Sequence, residues 1–445
     1  MVRLTQSLFL VLLFPSLIVS QQPASPALLT LDEALRIALN ENAQVESARL
    51  DVAKAQEAVG ELSASRLPQL NADVLSGLAI NPLHFTIPRG AIGDLPGIGP
   101  LPAIDMDFNA GRKMTAMIHA SAAQPLTQLY KLNLGIHEAR IGEELAKENL
   151  RLKRQQTVQQ VREAYDKIAL AQVQVEAAEA SVKSLGELNA LMERRLGEEA
   201  VLKADALAVA AQVAQQRYQT MTLRDGLDSQ KEAFNRLLGR DPGTDFTVET
   251  MPAPSVEEQD LEAARAKAMQ QRPEIRLASL QAETAGLEVR RERAAYLPDL
   301  SLQLSYLDFA NISFAPLNYS SAGVLFRWQP FDWGQKHHQI EELKSAARQA
   351  ELTRTDAGRQ VWIDVGVQFR KLAEARLLVA AGEAGRAAAE ERLRVTEEQF
   401  AQKAALPADL LRQQAAAAEA NSQWSQAVAA FWAAEAEYHR ALGDE

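Results

Sequence analysis

The sequence repeats itself at fixed offsets, and this constrains the fold before any single residue is weighed. Leu31, Ala34, Ala38, Val45, Ala48, Leu50, Val59, Leu67, Pro68 and Leu70 are answered 230 positions later by Leu261, Ala264, Ala268, Ile275, Ala278, Leu280, Val289, Leu297, Pro298 and Leu300, without a gap. Further on, Val158, Val161, Tyr165, Ile168, Val175 and Leu196 are answered 204 positions later by Trp362, Val365, Phe369, Leu372, Val379 and Phe400. The first of these runs, with Val182, Leu185 and Met192, advances in steps of three and four or their multiples, a heptad stripe that keeps one seam of a helix against a neighbour. One long helix is expected from about Thr127 to Leu196 and another from about Trp333 to Phe400. At ~1.5 Å per residue each reaches on the order of 100 Å. No compact core needs that length, so a molecule that bridges a distance is implied.

Each Leu-Pro-x-Leu marks a helix handing over to another element, because proline cannot continue a helix interior. After each proline the period becomes two. Leu302, Leu304 and Tyr306 alternate with Ser301, Gln303 and Ser305; Val324, Phe326 and Trp328 alternate with Gly323, Arg327 and Gln329. In the first half Ala72, Val74, Leu78 and Ile80 stand against Asn71, Asp73 and Ser76, then Met114, Ala116 and Ile118 against Thr115 and His119. Alternation over about 10 residues is the pattern of a transmembrane strand, weak for any one segment. Two hairpins of a soluble sandwich are the competing reading, but no further strands offer a partner sheet. Asn81 to Arg112, rich in proline and glycine, reads as a long exposed loop. Phe309, Phe314 and Tyr319, near the second hairpin's loop, fit either an interfacial aromatic girdle or core packing.

The expected organisation is a signal peptide over 1–20, a first structural repeat over 21–240 with its hairpin at about 70–124, a linker over 241–260, and a second repeat over 261–445 with its hairpin at about 300–329. Each repeat is helix, hairpin, long helix, return helix. Phe246-Thr-Val248 reads as a short strand in the linker. Arg3 followed by an apolar stretch and small Ser20 is the signal pattern, and no cysteine follows it to carry a lipoprotein anchor. Beyond it no apolar run approaches the ~20 residues of a membrane helix, so any membrane entry must be by a closed barrel.

The net charge of −11 makes nucleic acid an unsuitable partner, and the absence of cysteine removes disulfides and thiol chemistry. No phosphate loop, Gly-x-Ser-x-Gly or His-Glu-x-x-His is present, so no enzyme and no cofactor is expected. His337 and His338 are adjacent, do not share a helix face, and do not read as a metal site.

Four strands cannot enclose an interior, for which about 8 are needed, so several copies must contribute. The chain resembles the TolC-like outer-membrane efflux proteins. The resemblance rests on Leu31-Asp-Glu-Ala-Leu-x-x-Ala-Leu39, the two Leu-Pro-x-Leu turns, Gln-Pro-Phe-Asp-x-Gly at 329–334, and the Asp-x-Leu steps at Asp205 and Asp409. It implies a mainly α fold with a minor β part: duplicated long-helix hairpins forming an α-barrel, and four strands per chain given to a 12-stranded transmembrane β-barrel in a homotrimer. It further implies a passive channel-tunnel in the bacterial outer membrane, among lipid, extending into the periplasm. Such a duct is the exit of a tripartite efflux pump or a type I secretion system, docked on a periplasmic adaptor (membrane fusion) protein and an inner-membrane pump or ABC exporter. A soluble periplasmic coiled-coil adaptor or scaffold is the alternative, but it has no use for outward Leu302, Leu304, Val324, Phe326 and Trp328.

Against the family's tip pattern, Phe400 replaces a tyrosine, Lys403 a glycine and Ala405 an arginine, while Asp409 and Leu411 match and Arg412 stands where a second acid is usual. The candidate periplasmic gate is therefore Asp205, Asp409, Arg412 and Phe400. In a trimer an inward Asp409 becomes a ring of three carboxylates that selects cations, with a solvated tip residue as the alternative; Asp205 is its counterpart. Asp409 and Arg412 stand at ion-pair spacing, within one chain or between neighbours. The candidate adaptor-docking tips are Gly197, Val201, Leu202 and Lys203 in one turn and Ala405, Leu406 and Pro407 in the other. Apolar Val201, Leu202 and Leu406 would otherwise be unexplained at a hairpin tip.

Overall fold

A computed structural model describes residues 27–78, 80, 84–109, 114–199, 201–249, 260–310, 318–402 and 404–444. The signal segment, Phe314, Lys403 and most of the second half of the linker lie outside them. In chain order the elements are β1 (Ala27–Leu29), α1 (Leu31–Glu41), α2 (Ala43–Ala64), β2 (Gln69–Leu78), β3 (His84–Ile87), β4 (Gly93–Leu95), β5 (Gly99–Leu101), β6 (Met106–Asn109), β7 (Met114–Pro125), α3 (Gln128–Gly197) and α4 (Lys203–Leu238). Then follow β8 (Phe246–Val248), α5 (Leu261–Gln271), α6 (Pro273–Ala294), β9 (Asp299–Ala310), β10 (Asn318–Arg327), α7 (Gln335–Ala401) and α8 (Pro407–Leu442). The expected fold class, mainly helical with a minor β part, is what the chain adopts. Helices α3 and α7 run 70 and 67 residues.

Local chemistry sets the breaks. Asn42 separates α1 from α2, its Oδ1 accepting the Gln44 and Val45 N–H groups at 2.8 and 3.2 Å, an N-cap that occupies two orphan donors. Asp260 caps α5 by accepting one N–H, that of Glu262 at 3.1 Å, and Pro273 opens α6 at the position where its missing N–H costs nothing. Gly239 ends α4 at φ +85, the left-handed cap that suits glycine. Asp332 starts α7: its carboxylate accepts the Gly334 and Lys336 N–H groups at 3.2 and 3.1 Å, with the Lys336 ammonium 3.4 Å away. Burial pushes this carboxyl up, but those hydrogen bonds and that charge outweigh it and hold it below the usual value.

The chain forms two compact units. The first consists of the described parts of Met1–Ala38, Val161–Ala253 and Ala381–Ala429. Its larger core joins Ala34 and Ala38 of α1 to Val161, Tyr165 and Ile168 of α3, Phe234 and Leu238 of α4, and Phe246 and Val248 of β8. Parallel pairing of β8 with β1, Phe246 against Ala27, completes it; β8 is the strand read in the linker, but β1 has no periodic signal. Tyr165 donates its hydroxyl to the Leu29 carbonyl at 3.0 Å and accepts the Glu249 N–H at 3.1 Å, and burial raises its phenol above the ordinary value.

The second unit is Leu39–Gln160, Pro254–Ala380 and Ala430–Glu445 in its described parts. Its helical core packs Ala264 and Ala268 of α5 with Val361, Val365 and Leu372 of α7 and Phe431 and Tyr438 of α8. Trp362 departs from the expected seam: it is 48% exposed, with the Arg265 guanidinium 3.5 Å from its ring centre. Its neighbour Val361 occupies the buried position instead.

The same unit carries an antiparallel sheet in the order β10-β9-β7-β2. Among the described residues β2 and β10 pair on one side only, leaving two edges. The stretch read as a loop over 81–112 is more ordered than its composition implied. Between 84 and 109 it folds into two antiparallel ladders, β3 with β6 and β4 with β5, with Phe85 stacked on Phe108 at 5.0 Å. Gly90, Gly93, Gly97 and Gly99 there all have positive φ, so the glycines turn the chain between short strands.

Candidate functional site

The sheet has two chemically different faces. Pairing sets Ala72 opposite Ala120, Val74 opposite Ile118, Ala120 opposite Tyr306, Ala122 opposite Leu304, Leu304 opposite Ala322, Leu302 opposite Val324 and Leu300 opposite Phe326. Side chains alternate along a strand, so these residues share one face. It is mostly apolar, with Ser76, Asp308, Asn318 and Ser320 towards one end, and uncovered: Leu70, Val74, Leu302, Leu304, Val324 and Phe326 are all exposed. The opposite face carries Asn71, Asp73, His119, Ser121, Ser301, Gln303, Ser305 and Arg327.

Register corrects two details. Ser76 pairs with Ala116 and lies on the apolar face with Val74, whereas Leu75 lies with Asn71 and Asp73; strict alternation decides this, not polarity. Phe309 and Tyr319, placed opposite Met117 and Leu307, lie on the polar-residue face and cannot form an apolar-face girdle. The aromatics on the apolar face are Tyr306 towards one end, and Phe326 with Trp328 at the other, where Trp328 Nε1 donates to the Tyr296 carbonyl at 3.2 Å.

The base of the sheet is tied down across the two hairpins. The Thr127 hydroxyl donates to the Pro298 carbonyl and accepts the Leu300 N–H, both at 2.8 Å, and Lys131 Nζ sits 2.7 Å from Asp299 Oδ1.

The helix tips lie in the first unit. Leu188 and Met192 of α3, Ala206 and Val209 of α4, Phe400 of α7 and Leu410 of α8 form one buried cluster. Phe400 is thus a packing residue whose ring also carries the Arg195 guanidinium at 5.4 Å. Asp205 and Asp409 occupy matched places in the first turns of α4 and α8, where a negative charge complements the helix dipole. Asp409 Oδ2 also reaches back to the Leu406 N–H at 3.4 Å, and its Oδ1 meets Arg412 Nη1 at 3.3 Å within the same chain. Leu202 and Leu406 are 71% and 67% exposed, and Gly197 and Lys203 are exposed beside Leu202. Val201 is not an exposed residue: with Ala405 it packs against the tip cluster. Pro407 is half-buried as the first residue of α8.

The fold thus joins strands with one mostly apolar and one polar face to a chain of long helices. Residues 34–240 match the sequence model of the outer membrane efflux protein family. In fold the chain is similar to the CmeC outer membrane channel of Campylobacter jejuni, with TM-score 0.76 and 14% identity over 93% of this chain and 85% of that one. It is similar to the outer membrane protein VceC of Vibrio cholerae (0.73, 14%, 93% and 96%) and to the open state of the MtrE outer membrane channel of Neisseria gonorrhoeae (0.69, 17%, 93% and 89%). No curated protein sequence matches the chain. The resemblance to TolC-like outer-membrane efflux proteins therefore holds, in sequence over 34–240 and in fold over nearly the whole chain.

Proposed function

We propose that this chain is one third of a passive trimeric channel-tunnel in the bacterial outer membrane, the exit duct of a tripartite efflux pump or a type I secretion system. The observation that carries the proposal is the two-faced, two-edged sheet. In hydrocarbon an unpaired backbone group costs several kcal/mol, roughly, so edges β2 and β10 must be closed by other strands. Four strands from each of three copies give twelve, enough to enclose a water-filled interior. The exposed apolar face then meets lipid and the Asp73, His119 and Arg327 face meets water. Strands of 10 and 12 residues suit a tilted crossing. Among the described residues no helix is long and apolar enough to cross a membrane, which leaves the strands as the spanning element.

The duct does no chemistry in this reading; energy comes from an inner-membrane pump or ABC exporter. The exposed Leu202 and Leu406 are the docking points for a periplasmic adaptor, and Asp205, Asp409 and Arg412 line the periplasmic mouth. A soluble adaptor would have to keep the same apolar sheet face in water, which disfavours that alternative. Fractionation tests the assignment. The protein should sediment with outer membranes and require detergent for release; recovery in the periplasmic wash would refute it.

A further inference from the structure

We propose that Asp73 and His119 form an ion-selectivity element in the strand-lined part of the duct, cation-preferring while His119 is neutral and losing that preference when it is protonated. The inference rests on the channel reading above, because it needs the polar face of the sheet to line water.

Asp73 of β2 and His119 of β7 are directly opposite in the register. His119 Nδ1 lies 3.7 Å from Asp73 Oδ2, and its Nε2 lies 3.2 Å from Ser305 Oγ on β9. The three residues thus form a line across three strands on one face. Both charged partners reach solvent, with side chains 75% and 37% exposed for Asp73 and His119. An exposed pair of this kind contributes little to stability, so the line is not needed to hold the sheet together.

The surroundings leave Asp73 as the charge that decides this level of the sheet. Asp299 on the same face is neutralised by Lys131 at 2.7 Å. Arg327 pairs with Asp299, eight positions along β9 from Leu307, which faces His119; at ~3.3 Å per residue that is about 26 Å away. Tyr319 and Ser321 of β10, opposite Leu307 and Ser305, carry no charge at neutral pH. Asp308 points to the other face. Among the described residues of the four strands, His119 is therefore faced by one carboxylate and one hydroxyl.

The hydroxyl makes the site tolerant of both charge states. Ser305 donates to Nε2 of a neutral imidazole and accepts from the N–H of an imidazolium, by rotation of one O–H. Neither state strands a donor. Histidine is the side chain whose charge changes between about pH 5 and 8. In three copies the element becomes a ring of carboxylates, which favours cations in a water-filled pore walled by low dielectric. Protonation sets a positive charge beside each carboxylate and cancels the field.

The test is the reversal potential of the reconstituted full-length protein in planar bilayers under a KCl gradient, at about pH 8 and about pH 5. The wild type should prefer cations at the higher pH and do so markedly less at the lower. His119→Gln should keep the preference at both, and Asp73→Asn should prefer cations less than the wild type at the higher pH and shift towards anions at the lower. A wild-type reversal potential that does not move with pH, or that moves equally in His119→Gln, overturns the proposal while leaving the channel intact. Absence of any current from folded protein would remove the duct itself and this element with it.

Discussion

The Arg195 guanidinium lies over the Phe400 ring at 5.4 Å, joining the last turn of α3 to the last turn of α7. Phe400 thus has a substantial structural role through its ring alone, although a hydroxyl is the group its place in the family pattern would supply. Phe400→Ala should destabilise the tip cluster by about 3 kcal/mol, the low end for losing a core phenylalanine, and Arg195→Gln by roughly 0.5–1 kcal/mol. Hydrogen exchange across 188–210 and 400–411 checks this. Equal protection in wild type and Phe400→Ala would show that the ring does not hold the tips.

Arg412 is mostly exposed and Asp409 about half, and a surface pair of that kind contributes at most about 1 kcal/mol. Asp409→Asn should therefore leave thermal stability nearly unchanged while lowering cation preference in bilayers. Unaltered currents would reduce Asp409 to a helix-terminal residue.

Gly443 has φ +86, and a Cβ there would stand 3.0 Å from the Gln271 carbonyl carbon and 3.2 Å from the Arg272 nitrogen. Its carbonyl also accepts from buried Gln155 at 2.9 Å. Gly443→Ala should lower stability by about 1–3 kcal/mol through backbone strain, read as a drop in melting temperature. An unchanged melting temperature would mean that the α8 terminus relaxes freely.

Asp332 supplies the pH dependence of the α7 start. Its folded carboxyl titrates below the unfolded value, so its stabilisation is fully present above the ordinary carboxylate range and is lost as pH falls through the folded value. Melting temperatures measured from neutral pH downward should fall through the carboxylate range, and more shallowly in Asp332→Asn. Identical acid profiles would exclude the cap as a contributor.

Much of the helical architecture was legible because its signals are local. Leu67-Pro68 and Leu297-Pro298 precede β2 and β9 directly, and the heptad positions Val161, Ile168 and Met192 are buried. What the sequence hid is long-range. The Asp73–His119–Ser305 line depends on pairing β7 with β9, 186 residues apart at His119 and Ser305, and no local pattern sets that register. Strand β1 is three residues long and acquires its role only by pairing with β8. Trp362 lies off the seam with the Arg265 guanidinium over its ring, a contact that periodicity cannot report.

The central claim is that three chains must combine to close the sheet edges at β2 and β10. Native mass spectrometry of the detergent-extracted protein tests it most directly. The account predicts a species of three chains that persists on dilution; a stable monomer, with both strand edges protected from exchange, would contradict it.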